Sequence, residues 1–284
     1  MEEESIVTVR RVSMVTGCGK ADGMGAAIAR ALAARGDAVV VTDRLPGGVR
    51  NAGDSEVASG GLDALVAEIA AAGGGALALL GDIGDAEDVE RMHEAALERF
   101  GRLDVLVNNA GAPQGADRVD VADVPREAWD EQIRVNLTGA FLMSQAAVRR
   151  MRPRRYGRIV NVSSMAGIDR AGRAAAYSAS KAGILGLTRS LAMDAAGWGI
   201  TVNAVCPGLV ATSRMMLNKR GMDRAEAVSA QGARIAVGRV GTPEDIAHAV
   251  AFLSDERSGY ITAQTLCVDG GGMDQLGVGR PPAD

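Results

Sequence analysis

The sequence predicts an α/β domain in which one doubly wound parallel sheet carries helices on both faces. Three observations lead there. Apolar runs of strand length alternate with helical stretches along the chain, no shift of composition divides its 284 residues, and polar or turn-forming residues stand at the same end of strand after strand. A hydrophobic share of 47% is ample for one buried core.

Residues 1–11, acidic and then mixed, read as a flexible leader, and the domain occupies 12–272. Residues 12–16 form the first strand, and a glycine-rich turn from Gly17 to Gly25 leads into a helix that stops at Gly36. The next strand, 38–42, is mostly β-branched and closes on Asp43. Strand, glycine turn, helix, strand and acid follow one another as in a dinucleotide-binding unit. Glycine lets the backbone approach a pyrophosphate, and the helix N-terminus offers free N–H groups. Asp43 lies 20 residues after Gly23, which suits a carboxylate that accepts hydrogen bonds from a ribose.

Residues 44–61, rich in Gly, Ser and Asp and without periodicity, read as a flexible surface loop. A helix over 62–72 and a strand over 76–80 ending at Asp82-Ile83 come next, then a helix over 85–100 capped by Asp85. The strand 103–107 runs into Asn108-Asn109-Ala110-Gly111. Helices at about 125–135 and 137–151, a strand from 157 ending at Ser163-Ser164, a helix over 174–196, a strand over 200–206 and the turn Pro207-Gly208 complete the series. Residues 273–284 form a C-terminal tail. Asp43, Asp82, Asn109, Ser164 and Pro207 all fall at carboxyl ends of strands, where such sheets bind ligands.

Tyr177 and Lys181 stand four apart on the 174–196 helix, so phenol and ammonium share a face. A free phenol has a pKa of about 10, and a fixed cation nearby favours the phenolate. Such a tyrosine exchanges a proton with an alcohol or carbonyl. Ser164, 13 residues upstream at a strand end, can be brought to the same point. An ordinary surface Tyr/Lys pair is the bland alternative.

Net charge is −4 with both signs interspersed, which argues against a nucleic-acid or anionic-membrane binder and leaves a small molecule as the expected partner. Cys18, Cys206 and Cys267 lack the spacing of a zinc site or a disulfide framework, and only His93 and His248 are available for histidine chemistry. No signal peptide or bilayer-spanning apolar run is read, so no membrane is expected and the cytoplasm is the expected compartment.

The motifs Thr16-Gly17…Gly23-Met24-Gly25, Asp82-Ile83, Asn108-Asn109-Ala110-Gly111, Asn136, Ser164, Tyr177-x-x-x-Lys181 and Pro207-Gly208…Thr212 occur in one order. Over residues 12–272 they make the chain resemble the short-chain dehydrogenase/reductase family. The resemblance implies a single Rossmann-type domain and an NAD(P)-dependent oxidoreductase that interconverts a secondary alcohol and a ketone. It implies Tyr177 as general acid/base, Lys181 as the cation that lowers its pKa and binds the nicotinamide ribose, and Ser164 as the group polarising the substrate oxygen. Asn136 would position a water linking Lys181 to solvent. Gly17, Gly23, Met24 and Gly25 would hold the cofactor's phosphates, Asp82 and Ile83 its adenine, and Asn109, Ala110 and Gly111 its length. Pro207 and Gly208 join them, with Val210 and Thr212 near the nicotinamide. A homotetramer is implied as well, with the small residues Ala175, Ala179, Ala182, Gly183 and Gly186 of the Tyr177 helix in one interface.

Two departures stand out. Gly17 and Gly23 are separated by five residues, two more than in the family's pattern, so either the turn bulges or Gly19 takes the first glycine's role. Asp22 then falls near the phosphates, with Lys20 to offset it. The 44–61 stretch is the second departure, a tolerated surface loop or a cover for the cofactor. Asp43 favours NAD over NADP, while Lys20 and Arg44 pull the other way.

Other features have two readings each. The arginines 149, 150, 152, 154, 155 and 158 read as a solvated helix-end cluster, or as a docking site for acyl carrier protein or coenzyme A in a 3-oxoacyl-thioester reductase. Met215, Met216, Leu217 and Met222 read as an adaptable lid or as plain packing. Arg214, Lys219 and Arg220 read as partners for a substrate carboxylate or as solvated charges. A nucleotide-binding regulatory protein without catalysis is the rival from another class, and it has no need of Asn136, Ser164, Tyr177 and Lys181 together.

Overall fold

The computed structural model describes residues 11–51, 60–216 and 223–272. Seven strands, β1 (Arg11–Thr16), β2 (Asp37–Asp43), β3 (Ala76–Leu80), β4 (Val105–Asn108), β5 (Gly157–Val162), β6 (Ile200–Pro207) and β7 (Thr265–Val268), pair in parallel in the order β3-β2-β1-β4-β5-β6-β7. The chain winds outward from β1 to β3, returns to β4 beside β1, and winds the other way. That reversal opens a crevice above the carboxyl ends of β1 and β4.

The helices are α1 (Met24–Ala33), α2 (Gly61–Ala71), α3 (Ala86–Phe100), α4 (Arg126–Gln132), α5 (Ala140–Met151), α6 (Ala175–Ala196), α7 (Arg224–Gly232) and α8 (Pro243–Leu253). Successive strand residues face opposite sides. Val15, Val39, Val41, Val107 and Val160 pack with α1, α2 and α8, while Met14, Val40, Leu106, Ile159 and Val202 pack with α3, α5 and α6. Central strands are therefore apolar on both faces, which is why they read as unbroken β-branched runs. Asp85 caps α3 by accepting from the Glu87 and Asp88 N–H groups, as its position predicts. Among the described residues no helix is long and apolar enough to cross a membrane.

Three expectations need correction. The sequence separates two helices at Asn136, but α4 runs into α5 through a π-turn over Ile133–Gly139. Its wider turn shifts the apolar stripe without ending the helix. The 44–61 stretch is no loose loop over its described part: Leu62 N–H donates to the Pro46 carbonyl at 2.9 Å, and Asn51 Oδ1 accepts from Gln114 N–H at 3.1 Å. Residues 52–59 lie outside the described residues. Arg158 does not belong to a solvated cluster; it is 4% exposed and donates to the carbonyls of Gly157, Asp255 and Glu256. Nearby, Arg150 pairs with Glu90 at 2.8 Å, and Arg152 and Arg155 stack on Trp198.

Met215 is buried with Ala227, Ile235 and Val240, which is plain packing. Leu217 and Met222 lie outside the described residues, as do Lys219 and Arg220. α7, α8 and the short, largely exposed edge strand β7 follow the last element set out from the sequence.

Candidate active site

At the end of β1, Gly17 adopts a φ of 74°, and a Cβ there would lie 2.7 Å from Ala110 Cα. A Cβ on Gly25 would lie 2.2 Å from the Gly17 carbonyl oxygen. The two glycines let α1 and the end of β4 close on the turn, which no larger residue permits. Gly17 is thus the closely packed glycine directly after the strand, while Gly19 further along the turn donates its N–H to Asp43. Gly23 caps α1 with no side-chain hydrogen bond, so the N–H groups of its first turn present an anion-binding end. Asp22 does not burden that end. Its Oδ2 accepts from Ser213 N–H at 3.1 Å and from Arg224 Nη2 at 3.0 Å.

Asp43 ends β2 inside the crevice, where its Oδ2 accepts from Gly19 N–H at 2.9 Å and its Oδ1 from Arg44 N–H at 2.8 Å. Burial raises its pKa above the usual carboxylate value, against the pull of those N–H groups. The Arg44 guanidinium turns to Glu131 at 3.1 Å and Asp82 at 3.5 Å, and Arg134 meets both acids at 2.9 Å. Burial pushes Asp82 up, but Arg134, the Gly84 N–H and Arg44 together hold it below its ordinary value. Ile83 packs on Gly139, where a Cβ would come within 2.8 Å.

Thr16 is a working residue that the sequence did not assign. Its hydroxyl accepts from Asn109 N–H at 3.1 Å and Ala110 N–H at 3.0 Å, while Asn109 Nδ2 donates to the Thr16 carbonyl at 2.8 Å. This fixes the main chain of residues 109–111 beside the glycine turn.

Gly17, Gly23, Met24, Asp43, Asp82, Ile83, Asn109, Ala110, Gly111 and Thr212 line one continuous cavity. Gly25 lies beneath it. Pro207, Gly208 and Val210 do not line it: Gly208 N–H donates to the Val268 carbonyl, Val210 bridges to Gly241, and Thr212 N–H donates to the Val210 carbonyl.

Ser164, Tyr177 and Lys181 meet where β5 ends against α6. Ser163 Oγ donates to the Lys181 carbonyl at 2.8 Å, and a Cβ on Gly167 would fall 2.7 Å from the carbonyl carbon of Lys181, so the two elements are in close contact. Beneath them Asn108 Nδ2 donates to Asn161 Oδ1, and Asn161 Nδ2 to Thr188 Oγ1, joining β4, β5 and α6. Lys181 is 3% exposed and donates to the Val162 carbonyl at 2.9 Å, with its Nζ 5.8 Å from the centroid of the Tyr177 ring. The Ser164 hydroxyl accepts from Ala166 N–H at 3.1 Å and lies close enough to the phenol to favour its ionised form.

Burial raises the Tyr177 pKa, but Lys181, Arg214, Ser164 and Arg118 outweigh it and hold the phenol below its ordinary value. Lys181 itself is lowered by burial, against the pull of Tyr177. Arg118 lies over the Tyr177 ring at 4.5 Å from its centroid, and Arg214 donates to the Gly111 and Ala112 carbonyls. Asn136, on the π-turn, is 1% exposed; its Oδ1 accepts from Ala112 N–H at 2.8 Å, and its Nδ2 donates to Gln132 and Ser180 at 2.9 Å.

Fold and site define an oxidoreductase that works with a bound dinucleotide. Comparison with known proteins gives the family. The family model described as enoyl-(acyl carrier protein) reductase matches residues 17–272. Over 270 residues the chain is 41% identical to the short-chain reductase protein NovJ of Streptomyces niveus, covering 94% of this chain and 96% of the relative. Over 264 residues it is 39% identical to a 3-oxoacyl-[acyl-carrier-protein] reductase of Synechocystis sp., covering 92% and 96%. Among solved structures it resembles an actinorhodin polyketide ketoreductase with NADPH (TM-score 0.80, 35% identity, 94% of this chain and 98% of that one). It also resembles levodione reductase (TM-score 0.81, 30% identity, 93% and 97%). The chain belongs to the short-chain dehydrogenase/reductase family, and it is an NAD(P)-dependent enzyme acting on CH–OH groups.

Proposed function

We propose that this enzyme interconverts a secondary alcohol and a ketone with Tyr177 as the proton-exchanging group and NAD as the preferred cofactor. The observation that carries the reading is a phenol 5.8 Å, from ring centroid to nitrogen, from a buried ammonium that is itself anchored on the Val162 carbonyl. The residues fit a dinucleotide: the glycines leave room where a Cβ would clash, the N-terminus of α1 is free of side-chain caps, and Asp43 stands at the end of β2. When bound, the nicotinamide supplies or accepts the hydride.

In the reducing direction the substrate oxygen sits between Ser164 Oγ and the Tyr177 hydroxyl. Ser164 donates a hydrogen bond to it, and Tyr177 gives it a proton as the carbon is reduced. The Lys181 ammonium steadies the phenolate left behind. In oxidation the same phenolate takes the alcohol proton. The side chain of Asn136 is committed to Ala112, Gln132 and Ser180, and its role is to position a water that links Lys181 to solvent, the route by which the phenolate recovers its proton.

NAD is favoured because the Asp43 carboxylate lines the cavity, while the Arg44 guanidinium is engaged by Glu131 and Asp82. A homotetramer is supported by the exposed small residues Ala179, Ala182 and Gly186 of α6 and by the exposed Phe141 of α5. Gly183 does not share that face, since it abuts Leu137. The three free cysteines support a cytoplasmic setting.

A second reading, a 3-oxoacyl-thioester reductase, is favoured by the Synechocystis relative's name. A panel of secondary alcohols, ketones and one 3-oxoacyl thioester, followed by absorbance of the reduced cofactor, tests both. Tyr177→Phe should bind cofactor and turn over at least ~10²-fold more slowly. Undiminished turnover in that variant would refute the assignment.

A further inference from the structure

Two guanidinium groups, Arg118 and Arg214, stand at Tyr177 besides Lys181, and their effect on the phenol leaves their own N–H donors unaccounted for. Arg118 is in the loop between β4 and α4, stacked over the ring at 4.5 Å. Among the described residues its ionic partner is Asp117, at 3.5 Å, a separation longer than a charge-assisted hydrogen bond. The Asp117 carboxylate is 1% exposed, and its Oδ2 accepts no hydrogen bond. The Arg118 side chain is only 19% exposed, so its fork of N–H donors is largely out of water, and among the described residues no acceptor lies at bonding distance. Arg214, on the segment after Thr212, donates to the Gly111 and Ala112 carbonyls at 3.4 and 3.2 Å through one nitrogen, and it lies close enough to Arg118 to disfavour its charge.

The charges at this spot do not balance. Lys181, Arg118 and Arg214 are positive, and Asp117 is the acid beside them. With Tyr177 as a phenolate, one positive charge remains unanswered among the described residues. A partly buried, unanswered charge is costly, and a planar guanidinium fork matches a carboxylate in two parallel hydrogen bonds.

Resting on the function proposed above, we propose that Arg118 and Arg214 form a subsite for a carboxylate of the substrate, which is then a hydroxy acid in one direction and an oxo acid in the other. The anion enters beside the reacting oxygen, turns the Arg118 fork from its loose contact with Asp117, and fixes which face of the carbonyl meets the nicotinamide.

The test compares 2-, 3- and 4-hydroxy acids with their methyl esters as substrates of the whole chain, with both NAD and NADP. For the best pair, kcat/KM should favour the acid by at least ~10-fold, and Arg118→Met and Arg214→Met should each cut that preference by at least ~10-fold, mainly through KM. Arg118→Lys should keep part of it, because charge remains while the fork is lost. Should Arg118→Met fail to fold, Arg214→Met and Arg118→Lys give the same readout. A wild-type preference for the esters, or Met variants that slow acid and ester alike, overturns the subsite; the second result makes both guanidiniums supports of Tyr177 alone. Turnover of no alcohol at all would instead sink the proposed function. Calorimetry of 3-hydroxybutyrate on the cofactor-loaded Tyr177→Phe variant then decides the subsite separately. Binding weakened at least ~10-fold by adding Arg214→Met supports it, and absent or unaltered binding overturns it.

Discussion

Between β2 and β3, at one end of the crevice, Asp43, Asp82 and Glu131 stand against Arg44 and Arg134, and the two arginines are held by Asp82 and Glu131 within 2.9–3.5 Å. At the other end, three cations surround one phenol and a single buried acid. In the first group Asp82 and Glu131 are met by the two arginines and Asp43 by the Gly19 and Arg44 N–H groups, so the group positions a ligand and resists change. In the second, the acid and the phenol answer only two of the three cations among the described residues, and the remaining field acts on whatever proton or anion arrives. The same kinds of side chain thus serve as scaffold in one place and as reagent in the other.

The sharpest way to break this contrast is to remove the cation nearest the reaction. Lys181→Met should lower turnover by at least ~10²-fold. It should also move the acid limb of kcat/KM for alcohol oxidation upward, because a buried phenol without that ammonium titrates nearer or above its free value of about 10. The direction follows from the phenolate being the active form in oxidation. A pH profile that keeps its limb in the variant would show that Lys181 does not set the phenol.

A smaller effect is expected at Asp43, which faces a ligand as well as its neighbours. The native enzyme should use NAD with a kcat/KM at least ~10-fold above that for NADP, about 1.4 kcal/mol. Asp43→Ala should shrink or invert that ratio; a native preference for NADP would refute the cofactor assignment and leave the catalytic one standing. The smallest change belongs to Arg134→Ala. Arg44 remains on Asp82 and Glu131 there, and half-exposed ion pairs contribute only about 0–1 kcal/mol, so cofactor affinity should fall by less than about fivefold. A loss well beyond that, measured by cofactor titration, would show that the charges there are not mutually supporting.

Much of the site was legible because it is written in short spacings. Tyr177 and Lys181 share a helix face, Asp85 precedes its helix, and Asp43 closes a β-branched run; each needs only local geometry. Thr16 was legible as the end of a strand but not as the anchor of Asn109 and Ala110, which lie far along the chain and meet it only because β1 and β4 are neighbours. Asp117 and Arg118 sit in a stretch with no period, so nothing in the pattern tied them to a tyrosine on α6. Arg158 read as solvated because its neighbours are arginines, yet its strand position buries it beneath carbonyls that a later turn supplies. The break at Asn136 was a real signal wrongly translated, since a π-turn and a helix end disturb the apolar stripe alike.

Asp22 gives the contrast between the two ends a mechanical side. Its carboxylate is answered by the Ser213 N–H and by Arg224 at the start of α7, while its own place is in the glycine turn; Lys20 of the same turn stands 3.5 Å from Ser213 Oγ. While these contacts hold, the turn presents little negative charge. If Ser213 and α7 withdraw, a bare carboxylate is left beside the end of α1, the end suited to phosphate. An anion on the turn therefore disfavours withdrawal, and by linkage withdrawal weakens the anion by the same factor. The chain carries in this one residue a tie between its glycine turn and the segment after Thr212, whose Ser213 lines the same cavity.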